Sequence, residues 1–294
     1  MIESMQALFG AMVDYAGMFP PASLTLDAAM ADYARINASA DAWLVGRFVI
    51  SAGRLRDFER LAPRVLDRDD EPWVLSVLLP ADAASSLSEI PAFNEKWIGR
   101  VRIAAVEFAS LPIENMGPLV GLVPPAVEIF FETPLDADLE GRLDAVKALG
   151  AAAKVRTGGI KADAIPSVDR VAVFLKRARD AGLAFKATAG LHHALRGSYP
   201  LTYGQGSDCA TMHGFLNLVV AAAVVYSGGS AHDAMGALAE STPDAFRLCR
   251  DGLSWRSERI GMQSLAGFRQ RCLRSFASCD FREPVADLRR LGWL

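Results

Sequence analysis

Eight short runs rich in β-forming residues recur along this chain, with a stretch of helical period between most neighbours, and that alternation limits the fold more than any other feature. The runs are AMVDYAGMF, AWLVGRFVIS, PWVLSVLLP, VRIAAVEFAS, AVEIFFETP, AAKVRTGG, LAFKATAGL and MHGFLNLVV. Between them, residues 26–36 put Leu26, Ala29, Met30 and Tyr33 on one helical face. Residues 139–149 do the same with Leu139, Leu143 and Val146 before Gly150. The helix after Pro166 takes Ser167 as its N-cap, turns Val168, Val171, Leu175 and Ala178 inward and stops at Gly182.

Strands that alternate with helices build either an open doubly wound sheet or a closed barrel. The central strands of an open sheet are almost wholly apolar, whereas runs five to seven here carry charges inside or at their C-terminal ends. A barrel has its polar mouth at those ends. The expectation is therefore a (β/α)8 TIM barrel with extra C-terminal helices. A single domain over residues 1–294 fits, since such barrels use about 250 residues. From Ala231 the segments AHDAMGALAE, DAFRLCRDGL and SLAGFRQRCLRSFAS read as helix only, so residues 231–294 are expected to form the eighth helix and a helical cap.

Composition narrows the class of function. With 51% hydrophobic and 22% charged residues the chain can bury a large core, and a net charge of −3 offers no basic face to nucleic acid. Cys209, Cys249, Cys272 and Cys279 lie far apart without metal-ligand spacing, which fits free thiols in a reducing compartment. The N-terminus lacks signal-peptide features, and the apolar run from Phe215 is shorter than the roughly 18 residues a membrane span needs. A cytoplasmic protein that binds neither membrane nor nucleic acid is expected.

Residues two apart on a strand share a face. Lys154 with Arg156, and Lys186 with Thr188 and Gly190, therefore point to one side, while Ala153, Val155, Phe185 and Ala187 suit the opposite, helix-facing side. Glu132 ends the fifth run and Glu107 the fourth, so two carboxylates should face two lysines across one mouth. Such charges are costly to bury, and an apolar layer would serve stability as well, so the set favours function over packing. Each ammonium disfavours protonation of the other, which would leave one amine neutral and nucleophilic toward carbonyls.

The phrases AKVRTGG and FKATAG, separated by a helix, resemble the last strands of deoxyribose-phosphate aldolase and related class I aldolases over residues 151–191. That family carries its Schiff-base lysine on the sixth strand before a Ser/Thr-Gly turn, and a second lysine on the seventh. The resemblance implies that Lys154 forms the Schiff base and that Lys186 lowers its pKa. Two positions depart from the family: Arg156 stands where a small residue is usual, and GLHH replaces a Gly-Gly phosphate-binding phrase.

Arg156 with Thr157, Gly158 and Gly159 offers an anion cradle, and Arg47 and Asp14 are further candidates for binding substrate at the mouth. An interior ion pair is the alternative for Arg47, and a turn cap for Asp14. His192, His193 and His213 cluster at the ends of strands seven and eight, with His192 and His213 as candidate proton carriers and His193 as a binding group; His232 should be solvated. The glycine-rich connection 194–212 reads as a lid bringing Arg196 and Tyr203 to the mouth. The leading expectation is a lyase of aldolase type acting on a small anionic carbonyl compound, without cofactor or metal. Its rivals are a metal-dependent lyase or hydrolase using Glu107, Glu132 and the histidines, and a barrel that only binds a small anion.

Overall fold

The structure is a computed structural model that describes residues 3–66, 71–80 and 82–294. Seven of the eight β-rich runs are consecutive parallel strands: β1 (Val13–Tyr15), β2 (Val45–Ser51), β3 (Trp73–Leu79), β4 (Val101–Phe108), β5 (Glu128–Glu132), β6 (Ala152–Arg156) and β7 (Phe185–Thr188). The eighth run is not a barrel strand. Its start lies in an antiparallel hairpin, β8 (Gly197–Pro200) with β9 (Cys209–Met212), and the rest is a helix. Residues 231–294 are not helical throughout either, because they contain an antiparallel sheet of β10 (Phe246–Cys249), β11 (Gly252–Trp255) and β12 (Glu258–Gly261). They also supply the missing strand. β13 (Leu273–Ser278) pairs in parallel with both β7 and β1 and closes an eight-stranded α/β barrel with extra helices.

Helix α1 (Glu3–Phe9) precedes the barrel, and α2 (Leu26–Asn37), α3 (Leu55–Leu61), α4 (Ala84–Lys96), α5 (Met116–Val120), α6 (Leu139–Ala148) and α7 (Val168–Asp180) follow β1 to β6 in turn. α8 (Phe215–Tyr226) follows the hairpin, α9 (Ala231–Ala239) and α10 (Met262–Arg271) flank the small sheet, and α11 (Arg282–Arg290) follows β13. The helix periods hold as read: α7 buries Val171, Leu175 and Ala178, and Gly182 takes the left-handed φ of 62° just past its end. α8 is different in kind. Every residue from Phe215 to Val225 is buried, and the helix packs against α7, α9 and α10. Among the described residues no helix is long and apolar enough to cross a membrane.

Strand alternation sorts the side chains. Outward residues such as Phe48, Trp73, Val77 and Phe185 form the layer under the helices, where Tyr33 meets Trp73 edge-on at 4.7 Å. Burying each such side chain contributes about 1.5–3 kcal/mol. Inward residues are mostly small or polar, with Val49, Leu78 and Phe130 as the larger apolar exceptions. Ala105, Phe130 and Ala152 fill one interior cluster, and Ala16, Val49 and Ala277 another beside the mouth. The space these small side chains leave is taken up by charged ones.

Candidate active site at the barrel mouth

Glu132, Lys154 and Lys186 are register partners across β5, β6 and β7, so their side chains are neighbours on the inner face. Glu107 reaches both lysines from β4. Lys186 is wholly buried, and its Nζ donates to Asp14 Oδ2 and Glu107 Oε1, both at 2.6 Å. Asp14 Oδ2 also accepts from Ser275 Oγ, Asp14 Oδ1 from the Arg47 backbone N–H, and Glu107 Oε1 from Ser76 Oγ. Burial alone would push the Lys186 pKa down, but the charges of Asp14 and Glu107 outweigh it and hold the group above its usual range. Burial likewise pushes Glu107 up, and Lys186 and Lys154 overcome this to bring it to about 2. Lys186 is thus a neutralised cation locked by two carboxylates, not a bare like charge beside Lys154.

Lys154 is held differently. Its Nζ lies 3.3 Å from Glu132 Oε2 and 3.6 Å from Glu107 Oε2, longer than the roughly 2.7–2.9 Å of a charged hydrogen bond. It lines a pocket of about 460 Å³ together with Glu107, Glu132, Arg156, Thr188 and His192. Ala16, Phe19, Pro20, Pro21, Val49, Leu78 and Leu79 make an apolar wall. Lys186 and Asp14 do not line it. One face of this cavity therefore carries charge and another is greasy.

The turns after β6 and β7 brace each other. Thr157 Oγ1 donates to the carbonyls of Ala189 at 2.8 Å and Thr188 at 3.3 Å, so its hydroxyl ties the two turns together and is not free to cradle an anion. A Cβ on Gly158 would come within 3.0 Å of Gly190 Cα, which explains the glycines: the backbones touch. Ala189 carries a φ of 66° at the pocket edge, a strained conformation for a residue with a Cβ. Of the expected cradle, Arg156 and Gly159 reach the pocket.

Several expected site residues lie elsewhere. Arg47 sits at the other end of the barrel, where its Nη2 lies 2.6 Å from Glu128 Oε2 and Arg274 Nε lies 2.8 Å from Oε1. It forms the interior ion pair rather than a substrate contact, because its place near the start of β2 sets its height. Asp14 is a buried partner of Lys186, not a mouth carboxylate. His213 is fully buried, with Nε2 2.8 Å from the Pro166 carbonyl, and burial lowers its pKa. It joins the start of α8 to the approach to α7 and does not line the pocket. His193 stacks on Tyr199 at 3.7 Å and meets Asp287, also outside it. Arg196 turns toward His213, with Nη1 3.5 Å from Nδ1, instead of toward the mouth. The segment expected to form a lid is the β8–β9 hairpin, and the Tyr203 hydroxyl beside Cys279 donates to Glu283 Oε2 at 3.0 Å.

Ser76, Ser275 and Cys279 belong to the site and were not anticipated. Ser76 has a signal, a polar residue at an inward position of an otherwise apolar run; Ser275 and Cys279 have none, because the strand that carries Ser275 and ends just before Cys279 reads as helix. Among the described residues no three His, Cys, Asp or Glu side chains group as a metal site, so the rival set of Glu107, Glu132 and histidines is not assembled.

No protein-family model and no curated protein matches the chain. Among solved structures, the nitroalkane oxidase of Streptomyces ansochromogenes matches at 17% identity and a TM-score of 0.33, over 65% of this chain and 62% of that one. This chain therefore spans less than two thirds of that neighbour, and a likeness so distant bears on neither chemistry nor ligand. The class the structure defines is a closed parallel α/β barrel whose mouth holds a loosely paired lysine over a locked one.

Proposed function

We propose that this protein is a lyase of the class I aldolase type, acting on a small anionic carbonyl compound through Lys154. The carrying observation is the contrast between the two lysines. Lys186 is held by two 2.6 Å contacts, while Lys154 faces the pocket with slack on both sides. An amine attacks a carbonyl only in its neutral form, so its proton must first pass to a neighbour, and Glu132 at 3.3 Å is the base within reach. The nitrogen then bonds to the carbonyl carbon and the oxygen departs as water. The resulting iminium accepts the electron pair of the carbon–carbon bond that breaks. Glu132, partly open to solvent, can return or remove protons, while Glu107 stays ionised and balances the cation.

Arg156 on the rim supplies the contact for the substrate's anionic end, and the apolar wall from β1, β2 and β3 takes its carbon skeleton. The resemblance of residues 151–191 to deoxyribose-phosphate aldolase supports this assignment of Lys154. The role implied there for Lys186 changes: it acts as a positioning residue that fixes Glu107, since its own charge is neutralised. Borohydride added with acetaldehyde, pyruvate and a panel of other small aldehydes, ketones and 2-oxo acids should fix one substrate mass on Lys154, located by peptide mass spectrometry. Lys154→Arg should lose the adduct and keep its circular dichroism. An adduct that persists in Lys154→Arg, or its absence with every carbonyl tested, would end the Schiff-base reading.

A further inference from the structure

The wall of the same pocket contains a second group with nucleophilic chemistry. Cys279 follows β13 directly, is 5% exposed, and lines the cavity beside His192. Its Sγ lies 3.8 Å from His192 Nδ1 and 3.7 Å from the Tyr203 hydroxyl. Glu283 on α11 accepts from both of those groups, with Oε2 3.0 Å from each. Four segments thus bring a thiol, an imidazole, a phenol and a carboxylate within contact distance at the mouth, and the aldolase reading uses none of the four.

We propose that Cys279 is a reactive thiol of the pocket, paired with His192, and the position at which small electrophiles that enter the cavity, hydrogen peroxide among them, modify the protein. The arrangement is that of a nucleophile beside an imidazole which a carboxylate orients. Burial disfavours a charged His192, but Cys279 and Glu283 outweigh it and raise its pKa to about 9, so the ring carries a proton at neutral pH. The thiolate is the form that attacks, and the protonated His192 ring lies 3.8 Å from Sγ. Glu283 and Asp280 bring negative charge to the same place, while Lys154 and Glu132 face the cavity from β6 and β5. With peroxide, sulfur bonds to one oxygen as the O–O bond breaks. Sulfur loses two electrons and the peroxide gains them, and the departing hydroxide takes the His192 proton and leaves as water, giving a sulfenic acid.

The other cysteines serve as comparisons. Cys209 and Cys249 are exposed, and burial pushes Cys272 up to about 12, which makes it inert. The test is alkylation of the full chain by iodoacetamide at pH 6.0 and 8.5, with rates at each cysteine read by peptide mass spectrometry against a free cysteine-containing peptide. An ordinary thiol speeds up roughly 150-fold over that interval. Taking the ratio at a single cysteine removes its accessibility from the comparison. Cys279 should change less than about 5-fold, and a cyclic diketone probe for sulfenic acid should label it, and not Cys272, after brief peroxide treatment. His192→Gln should restore a steep pH dependence at Cys279. Tyr203→Phe, which removes only a rim hydroxyl, should move it part of the way and covers the case in which the histidine variant fails to fold. A wild-type Cys279 that follows the reference peptide, or that resists both reagents, overturns the proposal. Lys154 enters none of these readouts, so they stand or fall apart from the Schiff-base reading.

Discussion

Replacing Lys186 with methionine removes one buried charge, keeps most of the volume, and leaves two carboxylates behind. Asp14 and Glu107 are 1% and 3% exposed, and each loses a 2.6 Å partner. Asp14 retains Ser275 and the Arg47 amide, whereas Glu107 retains Ser76 and only the 3.6 Å approach of Lys154. Breaking a buried pair from one side costs about 3–5 kcal/mol. Burial raises the Glu107 pKa, but Lys186, Lys154 and Ser76 together bring it from 4.5 to about 2, which amounts to about 3 kcal/mol of stability shared among them. Because this pKa is depressed, that stability is present above pH 4.5 and is lost as the pH falls toward 2. With a urea slope near 3 kcal/mol/M, the midpoint should drop by about 1–1.7 M at pH 7.

The pH dependence separates this account from mere loss of packing. In the variant, burial is left to push Glu107 upward, so the folded state accepts a proton readily. The gap between wild type and variant should therefore narrow between pH 7 and 3.5, followed by tryptophan fluorescence in urea. A Glu107→Gln, Lys186→Met double variant, with one fewer unpaired charge, should recover part of the deficit at pH 7. A gap that stays constant or widens in acid would refute the reasoning, because it would show that Lys186 serves as packing and not as the counter-charge of Glu107.

Arg47→Met should cost about 1–3 kcal/mol by leaving Glu128 with Arg274 alone, yet leave the borohydride adduct on Lys154 unchanged; a lost adduct would return Arg47 to the binding site. Gly158→Ala should cost about 1–3 kcal/mol in thermal unfolding, since its Cβ would meet Gly190 Cα and the Ala189 carbonyl at 3.0 and 3.3 Å. Gly53→Ala, with nothing within 4 Å, is the matched control and should be close to neutral.

Period and parity carried most of what the sequence disclosed. Alternation marked β1 to β7, and the two-residue repeat put Lys154, Lys186, Glu107 and Glu132 on the inward face. Both signals fail where burial is complete. α8 is apolar on every side, so its Val-rich stretch has no helical period and reads as a strand. β13 follows α10 with only Cys272 between them and neither glycine nor proline to mark the break, so LRSFAS was absorbed into the helix. That single error hid Ser275 and Cys279. Parity also says nothing about height along the barrel, which is why Arg47 and Asp14, correctly turned inward, were assigned to the mouth. The separation of His192 from His193 depends on the path of the loop after β7, which neither signal encodes.

The distribution of slack within the charged layer argues for chemistry over architecture. A network selected for stability alone would gain by giving every donor a short partner, since partial satisfaction in a low-dielectric interior costs more than an apolar layer. Lys186 comes close to that condition, with short bonds to Asp14 and Glu107, each of which also accepts from a serine, Ser275 and Ser76. One register position away, Lys154 is left with two long approaches and an open cavity above it. Glu107 is tied to Lys186 through its other oxygen, which opposes a closer approach to Lys154. Lys186 thus positions Glu107, and the two long approaches leave Lys154 with donor capacity that its neighbours do not fill.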